Sequence, residues 1–200
     1  MAQDAPHTAN ENANKALANL DLKIGTYNIR GQGAQKEIKL RKIKNNFDRG
    51  KFNVLFVQET RTSGSEKELK RWQKVFNSKQ IFLTSAGTES VGAGIVIRDE
   101  ESFTVRHSFI DPEGRYVGLV GDHEDSQILL LSFYSPYVDR EIKDFVMSKI
   151  YETLNSLGEQ LPEFVVLGGD TNTVFSNLDK EGGNITFKRQ AINAYSHIQI

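Results

Sequence analysis

The stretch FNVLFVQET at residues 52–60 is the strongest constraint in this chain. Four apolar residues stand in a row from Val54 to Val57, with no alternation that would leave one face wet. A strand of this kind is buried on both faces, so it needs a layer above and a layer below. A second run, EFVVLGG at 163–169, reads as a last buried strand. Both runs stop abruptly on hydrogen-bonding side chains. Glu59 follows the first, and Asp170 and Asn172 follow the second.

The remaining periodicities fill in the layers. LKIGTYNI at 22–29 reads as a strand. Residues 35–50 read as a helix with Leu40, Ile43 and Phe47 on one face and Gly50 as its stop. Residues 65–76 read as a second helix. Ser65 and Glu68 form its capping box, and Leu69, Trp72 and Phe76 its apolar stripe. Five strands follow at 80–85, 93–99, 102–110, 115–121 and 127–134, read as one β-meander. A long helix spans 139–158, capped by Asp139 and ended by Gly158, with Ile142, Phe145, Val146, Ile150, Leu154 and Leu157 on its buried face. Helices at both ends around an all-strand middle predict an α/β protein of two stacked sheets with helices outside. Residues 1–20 are polar and rich in Ala and Asn, and are expected to be a disordered leader to a single domain from 21 onward.

Composition excludes several chemistries. The chain has no cysteine, which rules out disulfides, thiolate metal sites and a cysteine nucleophile, and which fits a reducing compartment. No apolar stretch has membrane-spanning length, and the first residues lack a signal-peptide core. A formal net charge of −1 lends no support to a dedicated nucleic-acid binder, although an acidic metal site can mask a local basic face. The basic clusters at 36–51 and 67–74 are read first as solvated helix faces.

Three strands end in polar side chains: TYNIRG with Asn28, VQETR with Glu59, and GGDTN with Asp170 and Asn172. Ligands of open sheets gather at the carboxyl ends of strands. Side chains two apart in an extended segment point the same way, so Asp170 and Asn172 can reach one site. Taken singly, GDTN is a turn, Glu59 a partner for Arg61, and Asn28 a loop anchor. Taken together they are hard oxygen ligands and their orienters, a set that suits Mg²⁺ or Mn²⁺ better than zinc. A hard divalent ion at such a site polarises a phosphodiester and stabilises the charge that develops on its oxygens.

Five blocks in order, IGTYNIRG, VLFVQET, GRYVGLV, LLLSFYSPY and FVVLGGDTNT, resemble the endonuclease/exonuclease/phosphatase superfamily over residues 22–175. The resemblance implies a four-layered αββα sandwich of mixed sheets. It implies that Glu59 binds the metal and that Asn28 helps to position it. Tyr134 would contact the scissile phosphate, Asp170 would orient or activate water, and Asn172 would steady the phosphate. Arg115 would lie near the DNA surface, or else be a solvated turn residue. The blocks GTYNIRG and DPEGRYVGL are most similar to the endonucleases of LINE-type retrotransposons. That branch implies a nick in double-stranded nuclear DNA that primes a reverse transcriptase further along the same polyprotein. An apurinic, exodeoxyribonuclease III-like repair nuclease and an inactive remnant are the alternatives. The family's terminal Ser-Asp-His has no counterpart here. His197 follows Asp170 too soon and in the wrong context, and His7, His107 and His123 are assigned no role. The expectation is therefore a domain whose last strands and catalytic histidine are missing.

Overall fold

The computed structural model describes residues 22–31, 36–85, 91–99, 103–157 and 162–173. The polar leader, the Gly158 helix stop, His7 and His197 lie outside these residues.

Among the described residues, eight strands form two sheets of four. The first sheet has the order β1 (Ile24–Asn28), β2 (Val54–Gln58), β4 (Ala93–Ile97), β3 (Ile81–Leu83). The second has the order β5 (Phe103–Ile110), β6 (Tyr116–His123), β7 (Ser126–Tyr134), β8 (Phe164–Asp170). Both are mixed. β1 runs parallel to β2, with Asn28 opposite Gln58, and β7 runs parallel to β8, with Tyr134 opposite Asp170. The other pairings are antiparallel.

The dense run at Val54–Val57 becomes the interior strand β2, and all five of its residues are buried. Its alternate side chains serve different layers. Val54 and Phe56 enter the core between the sheets with Ile95, Leu119, Ile128, Leu130 and Phe164. Leu55 and Val57 face the outer helices. Those helices are α1 (Lys36–Arg49) and α2 (Glu66–Phe76), whose Leu40, Ile43, Phe47, Trp72 and Phe76 are buried. On the far side, Leu129, Leu131 and Phe133 of β7 meet Ile142, Phe145, Val146 and Ile150. These come from α3 (Asp139–Phe145) and a π-helical turn (Val146–Ile150), which continue into α4 (Tyr151–Ser156). Three apolar cores thus separate four layers, as expected.

Several local expectations are corrected. The five middle strands are not one meander: β3 and β4 complete the first sheet, and the chain crosses to the second after Ile97. The reason is that β4 is itself an interior strand, buried along its length between β2 and β3. β8 is not the buried strand expected. Only Phe164 is buried and the rest is half-buried, because β8 is the edge of its sheet among the described strands. Asp139 does not cap its helix. Val138 holds that position without a side-chain bond, and Asp139 is the first helical residue, where its charge complements the helix dipole. The capping box on α2 is displaced. Ser65 accepts from the Glu68 amide, but the Glu68 carboxylate reaches past it to the amide and hydroxyl of Ser63, at 2.6 and 2.9 Å.

Candidate active site

The carboxyl ends of the two parallel pairs meet. Asn28 ends β1 and Glu59 follows β2 in the first sheet; Tyr134 ends β7 and Asp170 ends β8 in the second. The side-chain amide of Asn28 bridges the two sheets. Its Nδ2 donates to Glu59 Oε1 at 2.9 Å and to Asp170 Oδ2 at 2.7 Å. Its Oδ1 accepts from the Arg30 amide at 2.9 Å. Asn28 therefore presents nitrogen, not oxygen, to the two carboxylates and holds them on either side of one atom.

Each carboxylate has a second partner. Glu59 Oε2 receives Arg61 Nη2 at 3.0 Å, the pairing that the sequence alone suggests for these two residues. Asp170 Oδ1 accepts the Asn172 amide at 2.9 Å. The Asn172 side chain reaches the end of the neighbouring strand β7, where its Nδ2 donates to the Ser135 carbonyl at 2.6 Å. Ser135 closes the loop by donating its own amide to the Asp170 carbonyl at 2.9 Å. Burial raises the Tyr134 phenol above its usual range. The Asn172 amide opposes that rise, and the Glu59 and Asp170 carboxylates add to it. The phenol thus stays protonated at neutral pH and remains a donor facing this cluster.

The backbone around these residues is constrained. Arg30, Glu59, Arg61 and Asn172 all have positive φ, at 48°, 51°, 48° and 49°. Side-chain-bearing residues rarely adopt this region, and it concentrates at sites where geometry is over-determined. Hydrogen bonds hold it here: Gly31 N donates to the Glu59 carbonyl at 2.8 Å, and Lys39 Nζ donates to the Gly31 carbonyl at 2.6 Å. The glycines before Asp170 serve close approach. A Cβ on Gly169 would lie 2.0 Å from the Phe133 carbonyl oxygen, and one on Gly168 would lie 2.5 Å from the Phe56 ring.

The residues picked out by strand-end position, Asn28, Glu59, Asp170 and Asn172, thus come together, and Tyr134, picked out by the resemblance, stands with them. Arg115 sits beside them, its guanidinium carbon 5.7 Å from the Tyr134 ring centroid. The Ser135 carbonyl is the member that sequence reasoning missed, and a main-chain acceptor leaves no signal in residue type. His123 pairs with Ser126 at the other end of β6, and His107 lies mid-strand on β5. Among the described residues, no group of three or more His, Cys, Asp or Glu is placed to hold a metal. No described helix is long and apolar enough to cross a membrane. On the basic helices, Arg41 pairs with Glu37 and Lys70 with Glu66, both at 2.7 Å and one turn apart, as solvated faces do.

No family profile matches the chain. Solved structures share its fold. The AP endonuclease LMAP from Leishmania major aligns with a TM-score of 0.65 at 17% identity, covering 88% of this chain and 65% of that one. An endonuclease/exonuclease/phosphatase family protein from Bacteroides thetaiotaomicron aligns with a TM-score of 0.64 at 14% identity, covering 88% and 68%. TDP2 from C. elegans aligns with a TM-score of 0.56 at 18% identity, covering 91% and 57%. The α/β sandwich read from the sequence is therefore the fold of these proteins. The chain spans between 57% and 68% of their length.

Proposed function

We propose that this chain is a metal-dependent phosphodiesterase of the nuclease type, and that it nicks duplex DNA as LINE-type endonucleases do. The observation that carries the reading is the Asn28 bridge, which gathers carboxylates from both sheets at the carboxyl ends of two parallel strand pairs. The fit to a hard cation rests on charge. Glu59 and Asp170 bring two negative charges to one amide, and Arg61 balances only the first. One excess negative charge on oxygen donors suits Mg²⁺ or Mn²⁺, which take one or two carboxylates and otherwise keep water. Glu59 would hold the ion, with Asn28 fixing its spacing from Asp170. The ion would supply Lewis-acid polarisation of the phosphate.

The protein groups have complementary tasks. Asp170, held at both oxygens, orients the attacking water and accepts its proton. Asn172 and the protonated Tyr134 donate toward the phosphate oxygens, where charge grows as the water adds. The P–O bond to the leaving group then breaks and the leaving oxygen takes a proton from solvent, leaving a phosphomonoester and a free hydroxyl. In the LINE-type reading that hydroxyl is the 3′ end that a reverse transcriptase of the same polyprotein extends, in the nucleus.

The test is nicking of supercoiled plasmid with Mg²⁺, compared with Glu59→Gln and Asp170→Asn. A loss of at least about 100-fold in each is expected for groups of this kind, and full activity in either variant would end the assignment. The likeness to the Leishmania enzyme favours a second reading, an apurinic endonuclease. Strong preference for an abasic over an intact duplex would select it, and equal cutting of both would select the first.

A further inference from the structure

Arg115 meets two residues on the second-sheet side of the site, Tyr134 and Ser135. Its guanidinium carbon lies 5.7 Å from the Tyr134 ring centroid, within the range in which a cation is held over an aromatic face. Its Nη1 reaches the Ser135 carbonyl at 3.5 Å, the acceptor that also takes Asn172 Nδ2 at 2.6 Å. Its main chain is fixed at both ends. The Arg115 carbonyl accepts the Tyr134 amide at 2.7 Å, and the Arg115 amide donates to Asp111 Oδ2 at 2.8 Å. Asp111 is itself buried, and its main chain closes the turn through Gly114 and Tyr116. An arginine free to reach for DNA would not need its backbone and its guanidinium both engaged inside the domain.

We infer that Arg115 is a positioning residue and not a phosphate contact: it holds the Tyr134 ring and the Ser135–Asn172 pair in one arrangement. The inference rests on the nuclease reading for its kinetic arm. The planar guanidinium covers the ring face while one edge meets the carbonyl, a combination that an ammonium cannot reproduce. Because Tyr134 pairs with Asp170 in register, the same residue sets where the phenol stands relative to the carboxylates.

The experiment compares Arg115→Gln, Arg115→Lys and Tyr134→Phe in the full chain. For positioning, Arg115→Gln lowers kcat for plasmid nicking by about 10-fold or more, the scale of a misplacement below 1 Å. KM stays within about twofold, and Arg115→Lys remains as slow. The slope of log affinity for duplex DNA against log salt does not change. Combined with Tyr134→Phe, the loss falls clearly short of the product of the two single losses. A phosphate contact gives the opposite pattern: higher KM with kcat intact, recovery by lysine, and a salt slope reduced by about 0.9. That pattern would overturn the inference. An arm independent of cutting uses ¹³C-labelled tyrosine, with Tyr134 assigned by its loss in Tyr134→Phe. Its ring resonances move in Arg115→Gln while the emission of buried Trp72 does not. Unmoved resonances would overturn the inference, whereas wild-type protein that fails to nick DNA would count against the nuclease reading alone.

Discussion

Asn28→Ala removes the amide that bridges a carboxylate of each sheet at the site. It deletes the two bonds from Nδ2 to Glu59 and Asp170 and the acceptor of the Arg30 amide. A hydrogen bond to a charged group contributes about 1.5–3 kcal/mol when buried. Here the carboxylates are only partly buried and water can replace the donor, so about 1 kcal/mol for each is the fair figure. The two charges then face each other with no proton between them. Unit charges about 5 Å apart repel by about 3 kcal/mol at an effective dielectric of 20, of which entering water removes the greater part. The expected destabilisation is about 2–3 kcal/mol, or a fall in Tm of about 4–12 °C for a domain of this size. Trp72, the chain's one tryptophan, is fully buried against the first sheet and reports unfolding by its emission. The scan should be run at low ionic strength with chelator present. Asn28→Asp is the decisive companion, because it adds a third negative charge and must be worse than alanine at pH 7. A shift below about 1 °C for alanine, or an aspartate variant as stable as alanine, would refute the reasoning.

Other outcomes follow from the same geometry. Gly169→Ala drives a Cβ against the Phe133 carbonyl of β7, which cannot yield without breaking the ladder, so it should cost about 3 kcal/mol or more and displace Asp170. Gly168→Ala meets only the Phe56 ring, which can tilt, and should cost about 1–2 kcal/mol; equal losses in Tm would contradict the distinction. Mg²⁺ in large excess should raise the Tm of the wild type, since ligand at 100 times its Kd adds about 2.7 kcal/mol, and Glu59→Gln should abolish the rise. Tyr134 has a raised pKa when folded, so its contribution to stability is whole below the unfolded value of about 10 and is lost as pH climbs through the folded one. Tyr134→Phe should flatten stability against pH above about 10 relative to wild type, and an unchanged alkaline slope would contradict the shift.

The layers were legible because each core uses a pattern that a short window reveals. The run at Val54–Val57 could only be an interior strand, and the stripes Leu40–Ile43–Phe47 and Leu69–Trp72–Phe76 could only be helix faces. Asn28, Glu59, Asp170 and Asn172 were legible for a similar reason, since polar groups that stop apolar runs have few places to go, whereas Tyr134 was legible only through the family resemblance. The assignment of strands to sheets was not legible. β4 and β5 read alike as short apolar segments, and only the pairing of β4 with β2, far back in the chain, decides where the first sheet ends. The half-exposure of β8 was hidden as well, because burial of an edge depends on what lies beside it and not on its own composition. Hydrogen-bond direction was also out of reach. Nothing in TYNIRG says that Asn28 turns its nitrogen toward both carboxylates while its oxygen serves Arg30.

The topology explains why the site lies where it does. Neighbouring antiparallel strands finish at opposite edges of a sheet, so they cannot place two carboxyl ends side by side. Each sheet here contains one parallel pair, β1 with β2 and β7 with β8, and the strand-end residues of the site belong to these two pairs. Stacking the sheets sets β1 and β2 against β8, and two pairs of ends converge. The position of Asp170 relative to Glu59 is then fixed by how closely the sheets approach, which is the business of Val54, Phe56, Leu130 and Phe164 in the core between them. Phe56 is central to that core, since its ring also lies against Gly168, two residues before Asp170. A cavity there, as in Phe56→Ala, should cost about 3–5 kcal/mol and should disturb the site although no atom of Phe56 reaches it. Phe56→Leu, which keeps most of the volume, should retain far more activity. Were both variants to nick DNA at the wild-type rate, the spacing between the sheets would not govern the site, and the Asn28 bridge alone would have to hold the two halves together.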